Sequence, residues 1–254
     1  SSDRARVGVA FPLGKFSDYD WGGAAPGWYL NWGVNPQPAP GARFAQMVRV
    51  GEGGFRPALE MIRSAAQANP GSLWLIGNEP DVKWQDNVTP ERYAAIYGEL
   101  HAALKAADPT AQVAIGGAGQ PTPLRMAYLD RVLAAYRAQF GTEMPVDVWN
   151  IHAFILREER DSWGIDIPPG MDADQGQLYE IADHNNMAIF RQQIIDFRRW
   201  MAERGLRDKP LIVTEYGILM PAEYGFPPAV VSDFLVNTFD FFLTARDPEL
   251  GYPA

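Results

Sequence analysis

Short apolar runs alternate along this chain with longer stretches whose apolar residues return every three or four positions. That alternation is the mark of βα units feeding a parallel sheet. Seven runs read as strands: residues 7–11, 28–32, 46–50, 73–77, 112–116, 146–152 and 211–215. Their apolar content is nearly continuous, as expected of strands covered on both faces. The stretches between them read as helices. Thr89-Pro90-Glu91 supplies an N-cap, a first-turn proline and an acid at the positive end of the helix dipole, ahead of Tyr93, Tyr97, Leu100 and Leu104. Thr122-Pro123 repeats the signal before Leu129, Leu133, Tyr136 and Phe140. Met187, Phe190, Ile194, Phe197 and Met201 form another stripe, stopped by Gly205 and Pro210. Pro227-Pro228 opens a last helix, and residues 61–68 fill the one after the third strand.

The expected fold is α/β, a TIM (β/α)8 barrel in one catalytic domain spanning residues 1–254. The length of 254 residues is close to the roughly 250 of such a barrel. An eighth strand is missing from the pattern: residues 247–254 form a Pro/Gly loop where it should follow. The domain is therefore expected to be truncated at its C-terminus or to close in another way. A doubly wound sheet is the alternative, although no glycine-rich phosphate loop follows any early strand.

Composition narrows the partners. A net charge of −9, with 18 Arg and 4 Lys and no basic run, disfavours nucleic acid and anionic lipid, and neutral substrates fit better. The absence of cysteine removes disulfides and thiolate zinc sites. His101 and His184 are expected on helices, with no metal-binding spacing, so neither metal nor cofactor is expected. Asp172-Ala173-Asp174-Gln175-Gly176 lacks the full ligand set of a calcium loop and reads as a polar loop. No apolar stretch is long enough to span a membrane, and the start, Ser1-Ser2-Asp3-Arg4, is polar.

Two strands end in glutamate. The fourth reads Leu73-Trp74-Leu75-Ile76-Gly77-Asn78-Glu79-Pro80-Asp81, and the seventh Leu211-Ile212-Val213-Thr214-Glu215-Tyr216-Gly217. Carboxylates closing apolar strands are costly to desolvate without purpose. On a barrel rim, three strands apart, the two could face one another, and glycoside cleavage needs such a pair. The bland alternative is a structural ion pair on the rim.

At these residues the chain resembles the clan A retaining glycoside hydrolases, from about Val7 to Gly217. Their acid/base follows an Asn on strand four, matched by Asn78-Glu79-Pro80, and their nucleophile ends strand seven, matched by Thr214-Glu215-Tyr216-Gly217. The resemblance implies that Glu79 is the general acid/base, Glu215 the nucleophile, and that Asn78 binds the sugar 2-hydroxyl. Trp28-Tyr29-Leu30-Asn31-Trp32-Gly33, Phe44-Ala45-Gln46-Met47-Val48 and Gly77-Asn78-Glu79-Pro80-Asp81 look like the Asl1-like β-1,3-glucanase group. Residues 89–152 look more like the clan's xylosidase and cellulase-like members. One departure stands out. Where clan members often carry His-x-Tyr, whose tyrosine supports the nucleophile, this chain has His152-Ala153-Phe154, and Phe154 cannot donate. The supporting contact must come from His152, Tyr216 or an unrecognised residue, or be absent.

Substrate contacts are expected from Asn78, His152, Asn31 and Tyr216, with Trp32, Trp84 and Trp163 as candidate stacking platforms. Trp163 lies in the long 156–183 connection, expected to wall the cleft. Trp74, Trp149 and Trp200 read as core. The expected activity is cleavage of a neutral β-glucan, β-1,3-linked in the first instance, by double displacement, in an extracellular or cell-envelope setting. A binding protein on a decayed glycosidase barrel and a transglycosylase are the alternatives.

Overall fold

The computed structural model describes residues 2–12 and 15–252; Ser1, Pro253 and Ala254, which the sequence reading touched, lie outside the described residues. In chain order the elements are α1 (Ser2–Arg6), β1 (Gly8–Ala10), β2 (Trp28–Leu30), β3 (Arg43–Phe44), β4 (Gln46–Gly51), β5 (Gly54–Arg56), α2 (Leu59–Ala68), β6 (Leu73–Ile76), α3 (Pro90–Ala107), β7 (Gln112–Ile115), α4 (Pro123–Phe140), β8 (Trp149–His152), α5 (Met187–Glu203), β9 (Leu211–Glu215) and α6 (Pro228–Thr244). All seven expected strands and all five expected helices are present. The short α1, β3 and β5 escaped the pattern, being too brief to show a period.

The helix signals mark the right starts and stops, although neither threonine N-cap, Thr89 or Thr122, makes a side-chain capping bond. Asn186 caps α5 by accepting from the amides of Ala188 and Ile189, and α4 stops at Gly141 in the left-handed region (φ 73°). Thr89 sits at the N-cap of α3 with Pro90 behind it, yet its side chain makes no capping bond; its own amide donates to Glu52 Oε1 instead.

Hydrogen-bonded strands fall into three separate sheets: β1-β2-β3, β5-β4-β6-β7 and β8-β9. Every pairing is parallel except that of β5, which folds back on β4. Backbone bonds from Met47 to Gly33 and from Ala45 to Tyr29 lead from β2 towards β4, and isolated parallel bridges Ala114–Val148 and Ala118–Ile151 lead from β7 towards β8. Among the described residues no strand pairs β9 with β1, so the hydrogen bonding does not draw a closed barrel. A cavity of about 800 Å³ lies there, lined by β1, β9 and α6 residues including Val9, Val213, Phe239 and Phe242, with Trp28 of β2 beside them.

The core has two layers. Between strands and helices lies a large apolar cluster, with Trp74, Ile76, Val113 and Ile115 packed on Tyr93, Tyr97, Leu100 and Tyr128. Trp74, Trp149 and Trp200 all belong to it, as expected. On the opposite strand faces, Leu30, Met47, Leu75, Ala114 and Val148 pack together, with Ala10 and Ile212 against them. Every long parallel strand, or the residue leading into it, thus sends a side chain to one interior. Alternation of side chains along strands requires these two layers.

Candidate active site

Glu79 stands just beyond β6, where the chain turns sharply. Gly77 takes φ 93°, and a Cβ there would come within 3.0 Å of Val50 Cγ2, so the position needs glycine. Glu79 itself takes φ 47°, a left-handed conformation uncommon outside glycine. Buried polar contacts hold this turn. Asp86 accepts from the amides of Asn78 (2.7 Å) and Val50 (3.0 Å) and pairs with Arg49 at 2.6 Å. The Tyr93 hydroxyl donates to the Ile76 carbonyl and accepts from the Gly116 amide, tying β6 to β7. Asp81 accepts from the Gly119 amide and pairs with Arg125 at 2.8 Å. Arg125, fully buried, also pairs with Glu158 at 3.0 Å and donates to the carbonyls of Asp81, Ile165 and Asp166. Burial pushes the Asp81 carboxyl upward; Arg125 opposes that shift and the nearby Glu79 charge adds to it.

Glu215 ends β9, one position past Thr214, whose hydroxyl donates to buried Asn150 on β8. His152, at the end of β8, lies opposite it in register. The histidine ring sits between the two glutamates: Nδ1 is 2.7 Å from Glu79 Oε1 and Nε2 is 3.8 Å from Glu215 Oε1. Nε2 makes no hydrogen bond. The ring is pressed onto Gly117, where a Cβ would fall 2.4 Å from His152 Cδ2, and Phe154 meets it edge-on at 6.0 Å. Burial pulls the imidazole pKa down, but the Glu79 hydrogen bond and the charges of Glu79, Glu215 and Asp81 outweigh it, so the net shift is upward. Two acids and a histidine of raised proton affinity form a unit that can hold and pass a proton.

Donor atoms of Glu79, His152 and Glu215 all lie within 4.8 Å of one another. Among the described residues this is the one grouping that could hold a metal ion, and no motif spacing in the sequence announced it. The His152–Glu79 contact is at hydrogen-bond length, so those two atoms face each other.

Other expected site residues divide. Trp32, two residues past the end of β2, donates its indole N–H to Glu215 Oε1 at 2.5 Å, so its polar edge is turned to the carboxylate. Asn78 is buried beside Glu79; its side-chain nitrogen donates to Gln85, while Oδ1 has no partner. The Tyr216 hydroxyl accepts from Thr238 Oγ1 rather than donating to Glu215, and its ring packs on Phe190 and Phe242. Asn31 is exposed, Trp84 is 68% exposed with Lys83 over its ring, and Trp163 is half-buried; no contact among the described residues joins these three to the glutamates. His184 is not on an α-helix. It lies buried in a turn just past the 156–183 connection, bonded through Nδ1 to the Ile155 carbonyl and through Nε2 to the Leu219 amide, and so clips the loop after β8 to the loop after β9. The expected polar loop is ordered by an Arg160–Asp174 pair and a Glu159–Gln175 bridge.

The family model described as glycosyl hydrolase catalytic core matches residues 8–164, well over half of the chain and with Glu79 inside it. The chain belongs to the glycosyl hydrolase catalytic core family. It is an O-glycosyl hydrolase, and its α/β fold is that of solved glycoside hydrolases. A GH128 curdlan-specific exo-β-1,3-glucanase from Blastomyces gilchristii, in complex with glucose, aligns at TM-score 0.64 and 17% identity, covering 96% of this hydrolase and 87% of that chain. A GH128 endo-β-1,3-glucanase from Sorangium cellulosum aligns at 0.60 and 18%, covering 95% and 83%. Another, from Amycolatopsis mediterranei with laminaritriose bound, aligns at 0.58 and 18%, covering 94% and 83%. A search of curated proteins found no match. No helix among the described residues is long and apolar enough to cross a membrane.

Proposed function

We propose that this glycosyl hydrolase cleaves β-1,3-linked glucan with retention, using Glu215 as nucleophile and Glu79 as general acid/base on a barrel-type frame. The observation that carries the reading is the Glu79–His152–Glu215 cluster, whose donor atoms lie within 4.8 Å of one another. Retaining enzymes hold their carboxyl groups roughly 5–5.5 Å apart, against about 6.5–9.5 Å where a water must fit between them. In the first step Glu215 bonds to the anomeric carbon as Glu79 protonates the departing glycosidic oxygen. In the second, Glu79 takes a proton from water, whose oxygen displaces Glu215. His152 shares the proton that Glu79 gives and regains.

Asn78 supports the sugar site, because its buried, unpartnered Oδ1 is an acceptor suited to a substrate hydroxyl. The barrel reading rests on the strand order and on the single interior to which β1, β2, β4, β6, β7, β8 and β9 contribute. The linkage is drawn from the three solved neighbours, all β-1,3-glucanases. Trp84 and Trp163 are proposed as outer stacking platforms, with Asn31 and Tyr216 at the margins of the site. A neutral polymer suits a chain of net charge −9 better than nucleic acid or a membrane surface, and a polymeric substrate fits action outside the cell.

The test is turnover of laminarin and of an aryl β-laminarioside. Glu79→Ala is expected to lower kcat on laminarin by roughly 10²–10⁴-fold, the usual weight of general acid/base catalysis, and Glu215→Ala to abolish turnover of both. Full activity in either variant overturns the assignment.

A further inference from the structure

The nucleophile has an unusual supporter. Among the described residues only one side chain donates a hydrogen bond to the Glu215 carboxylate: Trp32, from Nε1 to Oε1 at 2.5 Å. The other candidates are accounted for. His152 Nε2 stands 3.8 Å away, beyond hydrogen-bond range, the Tyr216 hydroxyl is engaged with Thr238, and position 154 is a phenylalanine. Trp32 is held for this task. Its backbone takes φ 60°, a conformation that a bulky residue rarely adopts and that persists only where the surroundings enforce it. The surroundings are visible: the ring packs on the interior cluster of Leu30, Met47 and Leu75, and the next residue, Gly33, accepts from the Met47 amide.

Resting on the double-displacement reading, we propose that Trp32 is a positioning residue for Glu215, and that its N–H drives breakdown of the glycosyl-enzyme more than its formation. With Oε1 held by the indole, the other carboxylate oxygen is the one left to bond the anomeric carbon. In the ester so formed, Oε1 becomes a neutral carbonyl, a weaker acceptor than a carboxylate oxygen. The N–H therefore stabilises the free carboxylate over the ester. When water attacks, the C1–O bond breaks, its electron pair returns to Glu215, and the indole hydrogen bond strengthens as that charge develops. An indole N–H is a donor only and never ionises in this role, so the support does not switch with pH as a tyrosine hydroxyl would.

The test is Trp32→Phe, which keeps a ring and removes the donor, assayed on a dinitrophenyl β-laminarioside whose first step is fast. Loss of one charge-assisted hydrogen bond predicts a fall in kcat of roughly ten- to a hundred-fold. Because breakdown is the slowed step, KM should fall with kcat, leaving kcat/KM within a few-fold of the parent. A loss in kcat/KM with KM unchanged or raised would mark a merely structural role and overturn the proposal, as would unchanged kcat. Should the variant fail to fold, the folded parent still decides: the ¹⁵N–¹H indole resonance of Trp32 must move in Glu215→Ala while that of buried Trp74 does not. A Trp32 resonance indifferent to Glu215 ends the idea. If Glu215→Ala were fully active, the nucleophile assignment would fail instead, and the two failures are thereby told apart.

Discussion

The two strand ends that carry the glutamates are built differently. Around Glu79 every charge is answered: Asp81 and Asp86 hold backbone amides, Arg49 and Arg125 answer them, and the Glu79 side chain is only 10% exposed. Around Glu215 the frame is looser. Its side chain is 22% exposed, four of the five β9 residues are partly exposed, and the apolar cavity between β9 and β1 runs alongside. Glu79 is fixed by a web of buried ions around it, and Glu215 by strand pairing and one indole. A group that must exchange a proton twice per turnover gains from rigid dipoles around it, whereas a group that forms and breaks a covalent bond needs one well-aimed contact and room for the sugar.

The largest effect expected from breaking this contrast lies on the Glu79 side. Arg125→Met strips the counter-ion from both Asp81 and Glu158, which are fully buried. Breaking a buried pair one-sidedly costs about 3–5 kcal/mol; for a chain of this size that lowers Tm by roughly 6–20 °C, readable by calorimetry. A melt unchanged within a degree would mean the ion web is not what braces this half.

The next effect sharpens the contrast through protonation. His152 carries a raised pKa, so it keeps its proton to higher pH than an ordinary histidine. If the active enzyme needs one proton on the coupled Glu79–His152 pair, activity is lost as pH rises past that raised value. His152→Gln removes the second proton holder, and the alkaline limb of kcat/KM should move to lower pH. A limb that stays in place would show that the histidine does not share the catalytic proton.

The smallest effect belongs to the open half. Tyr216→Phe removes one 3.3 Å hydrogen bond to Thr238 and leaves the ring packing intact. It should cost less than about 1 kcal/mol and leave kcat nearly unchanged. A large loss of turnover would return Tyr216 to the supporting role that its position after Glu215 first suggested.

Much of this was readable in the chain. Parallel strands and amphipathic helices announce themselves by local period, and Asn78-Glu79-Pro80 and Thr214-Glu215-Tyr216-Gly217 carry their chemistry within a few residues. The ion web was not legible, because Arg125 meets Asp81 and Glu158 across 44 and 33 positions of chain, and nothing local marks such a pairing. Trp32 was legible as an aromatic at a strand end, which suggested stacking, but the direction of its N–H depends on a left-handed backbone that no residue type there predicts. His184 misled for a similar reason: its polar flanks resemble a helix surface, while the fold buries it as a clip between two loops. The lack of hydrogen-bonded pairing between β9 and β1 among the described residues depends on elements from opposite parts of the chain, and periodicity is silent on it.

The central claim is that the two glutamates grip one sugar from opposite sides and that Glu215 bonds to it. Incubation with a dinitrophenyl 2-deoxy-2-fluoro-β-laminarioside, followed by proteolysis and peptide mass mapping, tests this directly. One glycosyl adduct, on Glu215 and missing in Glu215→Ala, is the expected result. An adduct on another residue, or hydrolysis of the parent substrate with inverted anomeric configuration, would contradict it.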